Sequence, residues 1–391
     1  MGAGISSLSK ICLVERRDPF QPTPVKGAFR LDYTFVGLGI ESDEVDVAGN
    51  CGNMSSAIGP YAYNSKLLPR SAYRDGDGEV TVEIRNTNTG KLLNSTFNVV
   101  GGQAAVHGDY VIDGVAGTSS RIKLEYLHPF GSKTGKLLPT GRPIDVVSGY
   151  KVSCVDGANP AVFIRADHVH IDGTILPADF NKMPEKLAIL ERVRREAAVA
   201  MGMAISVNDV PRTVPKIGIV SQSSMHRVLS GAILRPSQVD LVVRFISDTQ
   251  PHRAIPLTMA LTTAVAARTK GTIVEQLLAP EAATVDAITI GHASGTIQVN
   301  ATFTEPNQEP SSATVYRTAK RIFEGDVYYT DNDPSSSPKD SAVSSSAPKN
   351  QGGLGLAFVL EQRNDASSGF FHEKPEMVVE TSGNRRRRSK H

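Results

Sequence analysis

Cysteine is scarce: Cys12, Cys51 and Cys154 are the only three in 391 residues. An odd, scattered set is not a disulfide framework, and none of the three shows metal-ligand spacing. A reducing compartment fits this usage, and a cytoplasmic location is expected. Long apolar runs are missing too. None approaches the length of a membrane span, and the opening MGAGISSLSKICLVERR has no signal-peptide core. The Met-Gly start with Ser6 matches the loose myristoylation pattern, but those residues have a better reading below. A surplus of one charge is also absent. The net charge is +2, yet four arginines and one lysine sit in the last seven residues. Removing those five charges leaves −3, so the body is mildly acidic and nothing in it argues for nucleic-acid binding. Tryptophan is absent, whereas glycine is abundant at 34 residues. Many glycines among short β-like runs point to turn-rich β structure and away from a helical bundle.

The length allows two domains of ordinary size. Strands are expected at 9–15, 29–40, 79–86, 92–100, 103–106 and 120–126. Residues 54–63 read as a short helix of small residues, kinked or ended by Pro60. A second unit begins near Tyr150, with strands at 151–155, 162–165, 215–220 and 239–247. Leu187, Leu190, Val193, Ala197 and Met201 recur at helical spacing over 185–201. The stretch 254–267 is rich in Ala and Thr with little polar surface, the signature of a buried helix. A hairpin is expected over 285–303. A helix or strand follows at 313–323, then a strand at 326–329. The domains are expected at 1–148 and 149–330. The remainder, 331–391, turns to Ser, Pro, Lys and Asn and is expected to be a disordered basic tail. Its Arg385 to Arg388 cluster matches import or polyanion-binding patterns, though a solvated tail explains it more simply.

Chemistry concentrates at Asn50-Cys51-Gly52-Asn53-Met54, just before the small-residue helix. A cysteine at a helix N-terminus feels the positive end of the helix dipole and becomes a usable acid or base. Free N–H groups there bind carboxylates, and Gly52 lets the backbone approach a ligand. The competing reading is a buried structural cysteine. The loop Gly2 to Lys10 is rich in Gly and Ser. Its N–H groups and the hydroxyls of Ser6 and Ser9 suit a carboxylate, and Lys10 becomes a general base if burial lowers its pKa. Cys12 lies on the same strand face as Lys10. His168-Val169-His170 lacks a third ligand at local spacing and reads as exposed loop, so no metal is expected. Asp43, Glu44 and Asp46 read as a solvated turn.

Several blocks, in order, resemble the PrpF-like methylaconitate isomerases. These are Gly4 to Lys10, Leu31-Asp32-Tyr33, Asn50 to Met54, Ile112 to Thr118, Gly135 to Gly141, Asp156-Gly157-Ala158-Asn159-Pro160, Met201-Gly202, Pro215-Lys216, His252-Arg253-Ala254, His292 to Gly295 and Arg317-Thr318-Ala319. The ordered set is far more specific than any single block. The resemblance implies an α+β, diaminopimelate-epimerase-like fold: two similar domains, each a curved, mostly antiparallel sheet around a central helix, with the site in the cleft between them. It implies Lys10 and Cys51 as catalytic groups. Ser6, Ser9, Gly52, Asn53, Met54, His252 and Arg253 would hold a di- or tricarboxylate. It implies no cofactor and leaves a homodimer open. The chain departs from the pattern at Arg142, where the family has Asn, and at Ala116 and Ala293, where it has Pro. It is also expected to lack a strand and helix that precede the glycine-rich loop in the family.

The activity this implies is a double-bond shift or cis-trans isomerisation of an aconitate-like acid through allylic proton transfer. Two alternatives stand beside it. Amino-acid racemases of this scaffold use one cysteine from each domain, and no cysteine follows Cys154. A degenerate member would bind carboxylates or a protein partner without turnover.

Overall fold

The structure is a computed structural model. It describes residues 10–16, 30–39, 44–247, 249–304 and 309–321, with the backbone alone of 354–361 and 374–381. One continuous sheet runs through the molecule. Lys10–Arg16 pairs antiparallel with Arg30–Leu38, which lies parallel to Gly78–Asn86; Leu92–Val100 and Ile122–Leu127 follow antiparallel. Glu309–Arg317 then pairs with Ile122–Leu127 and carries the sheet into the second half. There the order is Gly295–Thr304, Ile288–His292, Leu241–Ser247, Lys216–Gln222, Pro160–Arg165 and Tyr150–Asp156. Asp145–Val147 pairs with Tyr150–Asp156 across the expected boundary at 148/149, so a hairpin spans that point.

Each half wraps its strands around one helix. Gly52–Asn64 is buried at ten positions, among them Gly52, Ser55, Ser56, Ala57 and Gly59. Small side chains let strands approach it on several sides: a Cβ on Gly59 would stand 2.5 Å from Ser95 Oγ. The helix continues through Pro60 to Asn64, so the proline does not end it. Leu257–Ala267 buries all 11 of its residues, as its uniformly apolar surface requires.

The strands around the first helix alternate. Val80, Val82 and Ile84 point inward from Gly78–Asn86, as do Leu93, Phe97 and Val99 from Leu92–Val100. The second half is covered on both faces. Ala161 and Phe163 join the inner core, while Val162 and Ile164 pack outward with Leu190, Val193 and Ala197 of the helix Pro184–Ala200. Two-sided burial explains the unbroken apolar run Pro160 to Ile164. The stretch read as helix or strand over 313–323 is the strand Glu309–Arg317. The expected strand at 326–329 lies outside the described residues.

The expected tail differs from its reading. Leu354–Glu361 and Lys374–Thr381 form an antiparallel hairpin, and the first of these strands runs parallel to Lys10–Arg16, with Lys10 opposite Ala357. The apolar run 354–360 supplies the β-forming residues that a Ser/Pro-rich composition hides. Arg385 to Arg388 lie outside the described residues. Among the described residues no helix is long and apolar enough to cross a membrane.

Candidate active site

The N-termini of the two central helices meet, and glycine makes this closeness possible. A Cβ on Gly52 would lie 2.8 Å from Leu257 Cβ and 2.9 Å from its Cδ2. Gly52→Ala is therefore expected to destabilise the fold by about 1–3 kcal/mol through overpacking, read as a lower urea midpoint. An unchanged midpoint would contradict this contact. Gly52 was read as an opening for ligand; it lines the cavity, but its bareness is also demanded by Leu257.

Asn159 stitches the two helix starts together. Its Nδ2 donates to Asn50 O at 2.7 Å and to Thr258 Oγ1 at 3.3 Å, and its Oδ1 accepts from Asn50 N at 3.3 Å. Cys51 is the N-cap of the first helix, yet its side chain makes no capping hydrogen bond. Its carbonyl is anchored instead: Tyr33 OH donates to it at 3.2 Å and Ser55 Oγ at 3.1 Å. The residue is thus held by its backbone, with the thiol left to the cavity it lines.

That cavity, about 680 Å³ and open to solvent, is lined by Lys10, Asn50, Cys51, Gly52, Asn53, Asn159, Arg212, Thr213, Lys216, His252 and Thr258, with apolar neighbours including Phe35 and Leu257. Three basic side chains and a histidine line it, and among the described residues no carboxylate does. Such a site attracts polyanions. Arg317 stands nearby, its Nη2 donating to Asn53 Oδ1 at 3.4 Å.

The expected site residues divide. Lys10, Cys51, Gly52, Asn53 and His252 come together at the cavity. Ser6 and Ser9 lie outside the described residues. Met54 does not reach the cavity: at 3% exposure it packs into the core on the helix's inner face. Arg253 does not line it either. It is exposed, and its carbonyl accepts from Ser294 Oγ at 2.6 Å. Both placements have one cause: a motif names a run of residues, whereas a helix or turn sends neighbouring side chains in different directions. Cys12 is fully buried; burial pushes its thiol well up, with the charge at Cys51 adding to this and Tyr33 opposing it. Burial likewise pushes Cys154 up to about 12.

Asp46 was read as part of a solvated turn, but it is 7% exposed. Its Oδ1 accepts from Ala48 N at 2.7 Å and its Oδ2 from Thr213 N at 3.0 Å. It ties one half to the other. His168 and His170 are exposed in a short turn around Asp167–Val169. The departing positions Arg142, Ala116 and Ala293 do not line the cavity. Arg142 pairs with Asp145 at 2.8 Å, its side chain 71% exposed.

Two histidines are held neutral. Burial pushes His252 down to about 3, helped by the charges of Lys10, Lys216 and Arg317. Burial, with Arg244 and Arg317, does the same to His292, also to about 3. Each Nδ1 accepts a backbone N–H, from Ala254 at 3.1 Å and from Ser294 at 3.2 Å. The proton therefore sits on Nε2, and His252 offers an N–H donor to the cavity. The unfolded chain binds these protons near pH 6.5 and the folded chain near 3. Stability thus falls as pH drops through that window, by about 1.4 kcal/mol per pH unit for each histidine. His292→Gln is expected to flatten the fall of the urea midpoint below pH 6.5; an unaltered slope would sink the assignment.

Two lobes of curved sheet, each around a core helix, with a basic cleft where the helix starts meet, define the diaminopimelate-epimerase-like class. Residues 1–330 match the family described as PrpF protein, and the chain belongs to that family. It is 37% identical to the 3-methylitaconate isomerase of Eubacterium barkeri over 306 residues, 76% of this chain and 78% of the relative. It is 29% identical to the 2-methyl-aconitate isomerase of Shewanella oneidensis, covering 84% and 83% of the two chains. The crystal structure of methylitaconate-delta-isomerase superposes with a TM-score of 0.66 at 34% identity, over 81% of this chain and 80% of that one.

Proposed function

We propose that this protein is an isomerase that shifts or flips the double bond of an aconitate-like carboxylic acid by allylic proton transfer. The observation that carries the reading is one cavity presenting Lys10, Cys51 and additional cations, with no carboxylate among the described residues that line it. The relatives named above are isomerases of 3-methylitaconate and 2-methyl-aconitate, which supports the same reaction class here.

Lys10 Nζ, as the free amine, takes a proton from the carbon that is both allylic and next to a carboxylate. The electron pair left behind delocalises through the double bond into that carboxylate as a dienolate. Cys51 Sγ–H returns a proton to the far end of the system, and the double bond reforms one position along. Proton transfer from the Lys10 ammonium to the Cys51 thiolate, through water, restores both groups. No electrons enter or leave, so the balance needs no redox partner. Asn53, the N–H groups at the start of Gly52–Asn64 and the Nε2–H of His252 face developing negative charge and stabilise it.

A racemase reading finds less support. The start of the second helix is capped by Pro256, which has no ionisable group to oppose Cys51. Proton NMR of the protein with cis-aconitate, and separately with 2-methylaconitate, in deuterated water tests the proposal. New alkene signals with deuterium at the allylic carbon are expected. A folded protein that yields neither exchange nor isomerisation would overturn it.

A further inference from the structure

The strand that carries Lys10 has two ladder partners, and one of them comes from the far end of the chain. On one side Lys10–Arg16 pairs antiparallel with Arg30–Leu38, from Lys10 opposite Gly37 to Arg16 opposite Leu31. On the other side it runs parallel to Leu354–Glu361, with Lys10 opposite Ala357, Cys12 opposite Val359 and Val14 opposite Glu361. Without that second partner, Lys10–Arg16 would be the edge of the sheet among the described residues. A free edge leaves a row of N–H and C=O groups unpaired and open to foreign strands.

The hairpin also reaches the element that carries Cys51. Its second strand, Lys374–Thr381, pairs with Leu354–Glu361 from end to end. The backbone of that second strand comes within 8 Å of the helix Gly52–Asn64, Cα to Cα, and Cys51 is the N-cap of that helix. One hairpin therefore lies against both elements that bring acid–base groups to the cavity. Both of its strands fall beyond residues 1–330, the stretch that matches the family, so the family resemblance says nothing about them. Lys10 stands at the first position of its strand, where a strand frays most easily. A base must also stand within hydrogen-bond reach of the proton it takes, and a misplacement of about 1 Å can cost on the order of 10²-fold in rate.

We propose that the hairpin Leu354–Glu361 and Lys374–Thr381 is a positioning element: by adding strands to the outer edge of Lys10–Arg16 it fixes the backbone that places Lys10, and turnover depends on its docking. The occupant of that edge is this chain's own C-terminal segment, paired through main-chain hydrogen bonds in the manner of β-strand addition. Because the segment is covalently joined to the lobe it completes, docking is intramolecular and favoured by a high effective concentration. The proposal rests on the isomerase reading above for what Lys10 does, and on the ladder alone for the docking.

Amide hydrogen exchange and turnover of the full chain test this together. Successive N–H groups of a strand point to opposite neighbours. A docked strand is therefore protected at consecutive amides, and an edge strand only at every second one. Residue-resolved exchange on the unaltered protein is expected to show consecutive protection from Ile11 to Val14; strict alternation would overturn the docking without any variant. Phe358→Pro combined with Val359→Pro removes two adjacent N–H groups, one aimed at each neighbouring strand. The double variant is expected to show alternating protection in Lys10–Arg16 and a kcat lower by about 10-fold or more, with KM within about 2-fold. Allylic deuterium exchange should fall in step with kcat, which lost stability alone would not cause in molecules that remain folded. Ser345→Pro, outside both strands, should change neither readout. Where the double variant fails to fold, Val359→Pro alone carries the comparison. Alternating protection with an unaltered kcat would overturn the positioning role. Consecutive protection in an unaltered protein that isomerises nothing would leave the docking standing, and would remove the isomerase reading and the positioning role with it.

Discussion

Lys10→Ala is expected to lower turnover of an aconitate-like substrate by about 10²- to 10⁴-fold, the range ascribed to a positioned acid–base group. It is also expected to abolish deuterium incorporation at the allylic carbon. Lys10, Cys12 and Val14 share one face of their strand, because side chains alternate. Cys12 and Val14 are fully buried beneath it, and Lys10 is the residue of that row at the cavity. The strand is held by its pairing with Arg30–Leu38, where Lys10 stands opposite Gly37. Cys12 and Val14 supply the buried part of that row, so the variant is expected to keep its circular dichroism spectrum and melting profile. The loss should fall on turnover and not on folding. Turnover within about 10-fold of the unaltered protein would place the base elsewhere.

The sequence made some features plain and hid others, for physical reasons. Gly52–Asn64, Leu257–Ala267 and Pro184–Ala200 stood out because burial imposes a pattern on each: small residues in the first, apolar residues throughout the second, a 3.6-residue stripe in the third. Lys10 and Cys51 stood out because ordered motifs surround them. The lining residues Arg212, Thr213 and Lys216 did not. Pro215-Lys216 was seen as a block of resemblance, but nothing local says that Lys216 lines the same cavity as Lys10. That meeting is made by Asn159 and Asp46, which bind one half to the other across separations of 109 and 167 residues. Asp46 sits among acidic neighbours and so looked solvated; its role exists only once Thr213 arrives. Tertiary hydrogen bonds of this length leave no periodic trace in a chain. The tail strands were missed for the opposite reason, since the composition of 331–391 outweighed one short apolar run.

Cys51→Ala is expected to separate the two halves of the reaction. If Lys10 removes the proton and Cys51 returns one at the far carbon, the variant should still exchange the allylic proton with solvent. Its formation of isomerised product should fall by about 10²-fold or more. Deuterated substrate would then accumulate ahead of product, a ratio read directly by NMR. The geometry favours a clean result. Cys51 is anchored through its carbonyl by Tyr33 and Ser55, and its side chain does not cap the helix. Removing Sγ therefore leaves Gly52–Asn64 and its N–H groups in place to hold substrate. Cys51→Ser, which keeps a donor of higher pKa, should recover little product and the same exchange. Parallel loss of exchange and isomerisation in Cys51→Ala would mean that the thiol positions the substrate for Lys10, and that one lysine carries the proton both ways.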